Sequence, residues 1–214
     1  MLIVLLGPPG VGKGTQGELL ASALGVPKIA TGDVLRAAVK AGTPMGLAAK
    51  AAMERGDLVP DDVILGILRD VLASPETARG AVLDGVVRTE PQAEGLRAML
   101  KGLNRSLDVV LLFEAPTDEL VKRLSGRTTC ENCQTPYTGR EPGSTCDKCG
   151  GKLVRRADDD PASVRNRIQV YEKQTAPVVA WYRKNGPRVA SVDSLGELAA
   201  VQARAKAALA QTAP

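Results

Sequence analysis

A glycine-rich loop close to the amino terminus limits what this chain can fold into more than any other feature. The apolar run Leu2–Leu6 is followed by Gly-Pro-Pro-Gly-Val-Gly-Lys, which spans Gly7 to Lys13. Two glycines that flank four residues before a lysine match the phosphate-binding loop, provided that a strand precedes it and a helix follows it. In such a loop backbone N–H groups surround phosphate oxygens, and the helix end and the lysine add positive charge. The sequence predicts a site for the phosphates of a nucleoside triphosphate; a glycine turn with an exposed lysine is the alternative.

Short apolar runs alternate with longer helical patterns along the 214 residues. Uniformly apolar runs are typical of parallel strands covered on both faces, and helices between them give a doubly wound sheet. We therefore predict an α/β fold, a P-loop doubly wound parallel five-stranded sheet with two inserted mobile domains. The candidate strands are Leu2–Leu6, Lys28–Ala30, Ala81–Leu83, Val109–Phe113 and Val189–Val192, and the predicted helices begin near Lys13, Asp33, Asp61, Pro91, Thr117, Pro161 and Leu195.

Two stretches interrupt the alternation of strands and helices. Residues 31–60 contain helical patterns without an obvious strand, and residues 127–158 are rich in glycine, cysteine, proline, threonine and charge. Both are predicted to be inserted into one core domain, which comprises residues 1–30, 61–126 and 159–214.

Two predicted helices flank the second insertion. Arg123 and Arg127 are four residues apart, so we expect them on one face of the helix that leads into it. The helix that begins at Pro161 is expected to run to about Lys184. A bend is predicted near Pro177, because proline lacks the N–H that the helical ladder needs.

All four cysteines lie in the second of these insertions. They form two Cys-x-x-Cys pairs separated by twelve residues, namely Cys130, Cys133, Cys146 and Cys149. Thiolates at this spacing surround a tetrahedral ion, most often zinc, and four sulfur ligands leave no position open for a substrate. We therefore expect a structural metal. Two disulfides are the alternative, which a reducing compartment disfavours.

The composition excludes several classes of function. The sequence contains no histidine, so histidine bases and histidine metal ligands are ruled out. The formal charge of +4 and the aromatic content of 2% argue against a nucleic-acid-binding zinc protein, which is kept as an alternative class. No apolar run approaches the ~20 residues that span a bilayer, and Leu2–Leu6 is too short for a secretory signal. We expect a cytoplasmic protein, with no nucleic acid and no membrane among its partners.

Four segments carry a resemblance to a known family. Lys13 is followed by Gly14 and Thr15, so the hydroxyl comes one position later than in the general motif. The other segments read Thr31-Gly32-Asp33-Val34-Leu35-Arg36, Gly56-Asp57-Leu58-Val59-Pro60, and Asp84-Gly85 with Arg88-Thr89 and Gln92. Over nearly the whole chain the sequence resembles nucleoside monophosphate kinases, in particular the bacterial adenylate kinases whose long lid binds zinc through four cysteines. The resemblance implies that residues 31–60 form an AMP-binding domain and residues 127–158 a zinc-binding lid. It also implies reversible, magnesium-dependent phosphoryl transfer, in which ATP and AMP give two ADP. We expect a monomer.

The resemblance also implies roles for individual residues at two nucleotide sites. At the ATP site these are Gly10, Val11, Gly12, Lys13, Gly14, Thr15, Arg123, Arg127, Tyr137 and Gly196, with Asp84 helping to hold magnesium through water. At the AMP site they are Thr31, Arg36, Asp57, Val59, Gly85, Arg88, Gln92, Arg156 and Arg167. The charge of the transferred group would be held by Lys13, Arg88, Arg127, Arg156 and Arg167. Asp158 and Asp159 would contact arginines when the lid closes, whereas Arg165 is expected to be a solvated side chain.

One loop departs from the family pattern. The family reads Asp-Gly, then Phe or Tyr, then Pro-Arg, with a cis peptide at the proline, but this chain has Asp84-Gly85-Val86-Val87-Arg88. A cis bond before valine costs ~3–4 kcal/mol. We expect either a trans bond with a different loop or local strain, and weaker AMP binding than in a V86F/V87P variant. A kinase for another monophosphate, a GTP-dependent kinase and a family member without turnover stay open as alternatives.

Overall fold

A computed structural model describes residues 1–211 of the chain. Its central sheet is formed by β1 Leu2–Leu6, β2 Lys28–Ala30, β3 Ala81–Asp84, β4 Val109–Glu114 and β8 Val189–Asp193. All neighbouring strands are parallel, in the order β2-β3-β1-β4-β8, which confirms the predicted α/β fold. The chain order reverses on either side of β1, so the loop after β1 lies at the switch point where such sheets bind ligands.

Helices cover both faces of this sheet. They are α1 Lys13–Leu24, α2 Thr31–Lys40, α3 Pro44–Arg55, α4 Asp61–Ala73, α5 Glu90–Gly102, α6 Thr117–Ser125, α7 Pro161–Val170, α8 Ala176–Asn185 and α9 Leu198–Ala210. Successive side chains of a strand point to opposite faces. Ile3 and Leu5 therefore pack with α1, α6 and α9 on one face, whereas Leu2, Val4 and Leu6 pack with α4, α5 and α8 on the other.

The helix predicted from Pro161 to about Lys184 is present as α7 and α8. Between them lies one wider turn, of the π type, at Tyr171–Thr175. Pro177 lies in the first turn of α8. Because proline has no N–H and crowds the preceding turn, a wider turn directly before it lets the helix continue. Where the sequence predicts a bend near Pro177, the structure has a π turn.

Two stretches lie outside the central sheet, as the sequence predicts. Residues 31–60, which include α2 and α3, are here called the α2–α3 segment. Residues 127–158 are called the cysteine module, and they hold a small antiparallel sheet in which β5 Arg127–Cys130 lies between β6 Pro136–Thr138 and β7 Leu153–Val154. That these stretches are separate, mobile domains stays a prediction.

One local prediction is wrong. Helix α6 ends at Ser125, and Arg127 is the first residue of β5, so Arg123 and Arg127 do not share a helix face. The four-residue spacing assumed that the helix continued, but serine followed by glycine at Gly126 favours its termination. Among the helices of residues 1–211, none is long and apolar enough to cross a membrane.

Candidate functional site

A large cleft of about 900 Å³ opens at the carboxyl ends of β1 and β3. The loop after β1 forms its floor, and the α2–α3 segment, the cysteine module and α7 form its walls. The sheet topology thus places the predicted phosphate loop where all three walls converge.

The loop after β1 needs glycine for its backbone and for space. Gly7 and Gly10 have φ values of 140° and 83°. A Cβ at Gly7 would lie 2.4 Å from the carbonyl oxygen of Phe113, and one at Gly10 would lie 2.9 Å from Leu124 Cγ. Gly12 caps α1 without any side-chain hydrogen bond. The first N–H groups of α1 therefore face the cleft with the positive end of the helix, which is a binding arrangement for anions.

Lys13 is held over the loop by the backbone. Its Nζ donates to the carbonyl oxygens of Gly7, at 2.6 Å, and Pro8, at 2.8 Å. Burial lowers the pKa of Lys13 from 10.5 to about 8, with Arg88 acting in the same direction and Asp84 opposing the shift. The positive charge of Lys13 is therefore weakly stabilised by the protein alone, and an added phosphate would favour it.

Arginines from separate elements meet in the cleft. Arg127 Nε donates to Asp159 Oδ2 at 2.7 Å, and the Asp159 side chain is only 3% exposed. Arg167 Nη1 contacts Asp159 Oδ1 at 2.9 Å and Asp158 Oδ2 at 3.0 Å. The contacts expected between arginines and these two aspartates are present. They join the first strand of the cysteine module to α7.

Arg156 differs from these paired arginines. Its Nε is buried and has no hydrogen-bond partner in the described part of the chain. Burial lowers the pKa of Arg156, and the nearby positive charges of Arg36 and Arg127 lower it further. A buried guanidinium nitrogen without an acceptor is costly, so this position calls for an anionic ligand.

The cleft wall opposite the phosphate loop is organised by Gln92, which is almost fully buried. Its Oε1 accepts from the backbone N–H of Arg88 at 2.7 Å, and its Nε2 donates to Asp61 Oδ1 at 2.7 Å. Thr31 Oγ1 donates to the carbonyl oxygen of Gly85 at 2.8 Å. Asp61 is a residue that sequence reasoning missed. Nothing in its spacing indicates that it would meet α5.

The loop from Gly85 to Arg88 follows the first of the two expected courses. All peptide bonds in residues 1–211 are trans, including those at Val86 and Val87. Arg88 Nε donates to the carbonyl oxygen of Gly85 at 3.2 Å, which closes the loop. Val87 lines the cleft, but Val86 is fully buried in the main core and does not. An aromatic residue at position 86 would therefore replace a core side chain and not one that lines the cleft.

The α2–α3 segment and the cysteine module meet across the mouth of the cleft. Arg36 Nε donates to Gln134 Oε1 at 3.2 Å, and Lys40 Nζ donates to the carbonyl oxygen of Glu131 at 3.4 Å. Arg36 also pairs with Asp33. Sequence reasoning missed Gln134, since its partner lies 98 positions away.

The four cysteines form one cluster in which all Sγ atoms lie within 4.8 Å of one another. Cys130 Sγ is 3.4 Å from Cys149 Sγ, and Cys133 Sγ is 3.6 Å from Cys146 Sγ, without disulfides. Sulfurs at ~2.3 Å from a tetrahedral zinc would lie about 3.8 Å apart. The cluster therefore fits a zinc ion with four thiolate ligands.

Tyr137 belongs to this cluster and not to the cleft. Its hydroxyl lies 3.3 Å from Cys146 Sγ and accepts from the backbone N–H of Asp147 at 3.0 Å. Its neighbours Pro136 and Thr138 line the cleft, because alternate residues of β6 face opposite sides. The structure therefore does not bring Tyr137 to the predicted ATP site.

The other predicted nucleotide-site residues all line the cleft. Arg165 is exposed and outside it, as expected. On the side of the phosphate loop the lining residues are Gly10, Val11, Gly12, Lys13, Gly14, Thr15, Asp84, Arg123, Arg127 and Gly196. On the opposite side they are Thr31, Arg36, Asp57, Val59, Gly85, Arg88, Gln92, Arg156 and Arg167.

Comparison with known proteins identifies relatives of this chain. Residues 5–187 match the family model described as "Adenylate kinase". The chain is 64% identical over 211 residues to a protein named adenylate kinase from Gemmatimonas aurantiaca, covering 98% of this chain and 99% of that protein. It is 46% identical to one from Syntrophotalea carbinolica, over 98% of each protein. It is 48% identical to one from Methanosarcina barkeri, over 87% of this chain and 88% of that protein.

Proposed function

The chain belongs to the adenylate kinase family, and from this premise we propose that its cleft transfers a phosphoryl group reversibly from ATP to AMP, giving two ADP. One observation carries the proposal beyond family membership. Lys13 and the arginines 36, 88, 127, 156 and 167 come from different elements and line the same cleft. Phosphoryl transfer depends mainly on positioning and charge neutralisation, which this arrangement supplies.

In the proposed reaction an oxygen of the AMP phosphate bonds to the γ-phosphorus of ATP. The bond from that phosphorus to the oxygen bridging it to the β-phosphate breaks, and the electron pair leaves with ADP. The AMP phosphate is already ionised near neutral pH, so no base is required. This fits a sequence without histidine. Lys13, Arg127, Arg156 and Arg167 would hold the transferred group, and Arg88 with Arg36 would hold the AMP phosphate.

Magnesium and zinc would serve different purposes. Magnesium would neutralise charge on the ATP phosphates. Asp84 is the carboxylate that would hold it through water, since a Cβ at Gly14 would lie 3.5 Å from Asp84 Oδ2 beside the phosphate loop. Zinc would be held by the four clustered cysteines and would stabilise the cysteine module without taking part in the reaction.

Gln92 supports adenine as the nucleobase of the monophosphate that accepts the phosphoryl group. A side-chain amide offers two N–H groups and two lone pairs on its oxygen. One N–H group donates to Asp61, and one lone pair accepts from the backbone N–H of Arg88. The remaining N–H and lone pair complement N1 and the amino group of adenine. Thr31, whose hydroxyl is fixed on Gly85, would pack beside that base.

A coupled assay of ADP formation tests this function. ATP and magnesium are supplied with AMP, CMP, UMP, GMP or no acceptor, and GTP replaces ATP in a parallel series. We expect turnover with AMP that exceeds turnover with every other acceptor. Faster turnover with another monophosphate would change the proposed substrate. Nucleotide binding without turnover would favour the family member that has lost activity.

A cytoplasmic location and a monomeric state stay predictions.

A further inference from the structure

The carboxyl end of α3 is capped by side chains of a different helix. The last four carbonyl groups of an α-helix have no partner within it. Those of Ala52 and Met53 accept from the N–H groups of Gly56 and Asp57. The carbonyl oxygen of Glu54 instead accepts from Ser163 Oγ at 2.8 Å.

Asn166 of α7 supplies the remaining cap. Its Nδ2 donates to the carbonyl oxygen of Arg55 at 2.8 Å and to Asp57 Oδ1 at 2.7 Å. Both hydrogens of this amide are thereby used, which fixes its orientation. Asp57 Oδ2 accepts from Arg55 Nε at 2.8 Å, so the Asp57 carboxylate is held from both sides. These bonds lower the pKa of Asp57.

The next residue of α7, Arg167, contacts the opposite wall of the cleft. Its guanidinium binds Asp158 and Asp159, and Asp159 binds Arg127 of the cysteine module. Its aliphatic part passes over Gly56, where a Cβ would lie 2.5 Å from Arg167 Cγ. Neighbouring positions of one helix therefore hold the end of the α2–α3 segment and the start of the cysteine module.

We propose that Asn166 is a positioning residue. It couples AMP binding to the position of the phosphate-binding arginines of the cysteine module. Asn166 acts through the backbone of residues 55–59, which carries the cleft-lining Asp57 and Val59. When this backbone is fixed against α7, the part of the cleft wall that contains Asp57 and Val59 keeps one position relative to Arg167. Binding of either nucleotide then favours the arrangement that the other requires. This inference rests on the proposed function, because it takes AMP as the ligand of that wall.

The test measures AMP binding by calorimetry, with and without a non-hydrolysable ATP analogue. For Asn166→Ala we expect the Kd of AMP to rise about fivefold and that of the analogue by less than about twofold. The factor by which the analogue strengthens AMP binding should also shrink. Asn185→Ala is the matched control, because Asn185 Nδ2 likewise donates to a helix carbonyl, that of Trp181, at 3.1 Å. It should bind both ligands like the wild type.

Further variants separate positioning from loss of folding. Asn166→Asp keeps the shape but sets a carboxylate against Asp57, so it should weaken AMP binding more than Asn166→Ala. Adding Asp57→Asn to it restores a donor and an acceptor and should recover part of the affinity. If Asn166→Ala does not fold, Asn166→Ser, which keeps one donor, replaces it. Equal losses for AMP and the analogue, or unchanged coupling, would overturn the inference. If wild-type chain fails to use AMP, the proposed function itself fails.

Discussion

The α2–α3 segment and the cysteine module both lie outside the central sheet, but different interactions stabilise them. Leu35, Ala49 and Val59 of the α2–α3 segment belong to the main apolar core. The cysteine module has a separate cluster, which contains only Leu153, Tyr137 and cysteines. So few apolar side chains cannot offset the entropy of ordering about thirty residues, and such modules depend on a metal. We infer that the α2–α3 segment unfolds together with the core, whereas the cysteine module has a separate free energy of unfolding.

Removal of the proposed zinc ion should have the largest effect on this comparison. Structural zinc contributes apparent binding free energies of about 10–16 kcal/mol in small zinc modules. A chelator should therefore unfold the cysteine module and lower the melting temperature, while the core and the α2–α3 segment stay folded. Hydrogen exchange checks this through protection of residues 127–158 against that of residues 31–60. Readdition of zinc should restore protection. Unchanged melting after verified loss of the metal would contradict the prediction.

Arginines of the two regions should affect different kinetic constants. Arg156→Met removes a positive charge that would stabilise the transferred phosphoryl group. It should lower kcat by about 10²–10³-fold. Arg36→Met, in the α2–α3 segment, should mainly raise KM for AMP. Steady-state kinetics with either substrate varied separates these effects. Arg165→Met, at an exposed position outside the cleft, is the control and should behave like the wild type.

Core truncations should separate the stabilities of the two regions. Leu35→Ala leaves a cavity in the main core and should lower the free energy of global unfolding by about 2–4 kcal/mol. Leu153→Ala, at a fully buried position of the cysteine module, should reduce protection of that module only. Denaturant unfolding combined with hydrogen exchange gives both quantities. Equal loss of global stability in both variants would show that the regions unfold as one unit.

Lys13 belongs to neither region, so its titration should affect nucleotide binding without loosening the cysteine module. The pKa of Lys13 in the free protein is about 8. Bound phosphates favour the protonated amine and raise this pKa, so affinity is full below pH 8 and falls as the pH rises above it. The Kd of ATP should rise by up to about tenfold per pH unit in that range. Lys13→Met should bind weakly at every pH and lose this dependence.

The smallest expected effect concerns the loop that faces the α2–α3 segment. Val87→Pro should tighten AMP binding modestly, because proline narrows the conformations of the free loop. Within residues 1–211, the N–H of Val87 has no acceptor to lose. Val86→Phe should destabilise the protein by about 1–3 kcal/mol, since Val86 is packed in the core. Equal or weaker AMP binding in Val87→Pro would show that valine in place of the family proline does not weaken AMP binding.

Local patterns made most of the fold predictable. The five strands are close to their predicted bounds, because fully buried parallel strands appear as short apolar runs. Helix starts were less accurate. The helices expected near Asp33, Pro91 and Leu195 begin at Thr31, Glu90 and Leu198. The end of α6 at Ser125 was missed, since the spacing of Arg123 and Arg127 alone fits a helix equally well.

Sequence alone was enough to predict the phosphate loop and the four-cysteine cluster, because both depend on backbone geometry and spacing within a few residues. The directions of the longer side chains depend on tertiary packing. Strand alternation turned Tyr137 towards the cysteines, and helix packing brought Asn166 to the end of α3 and Asp61 to Gln92. Such contacts join residues that are far apart in the chain. Their partners depend on how whole elements pack, which no local pattern encodes.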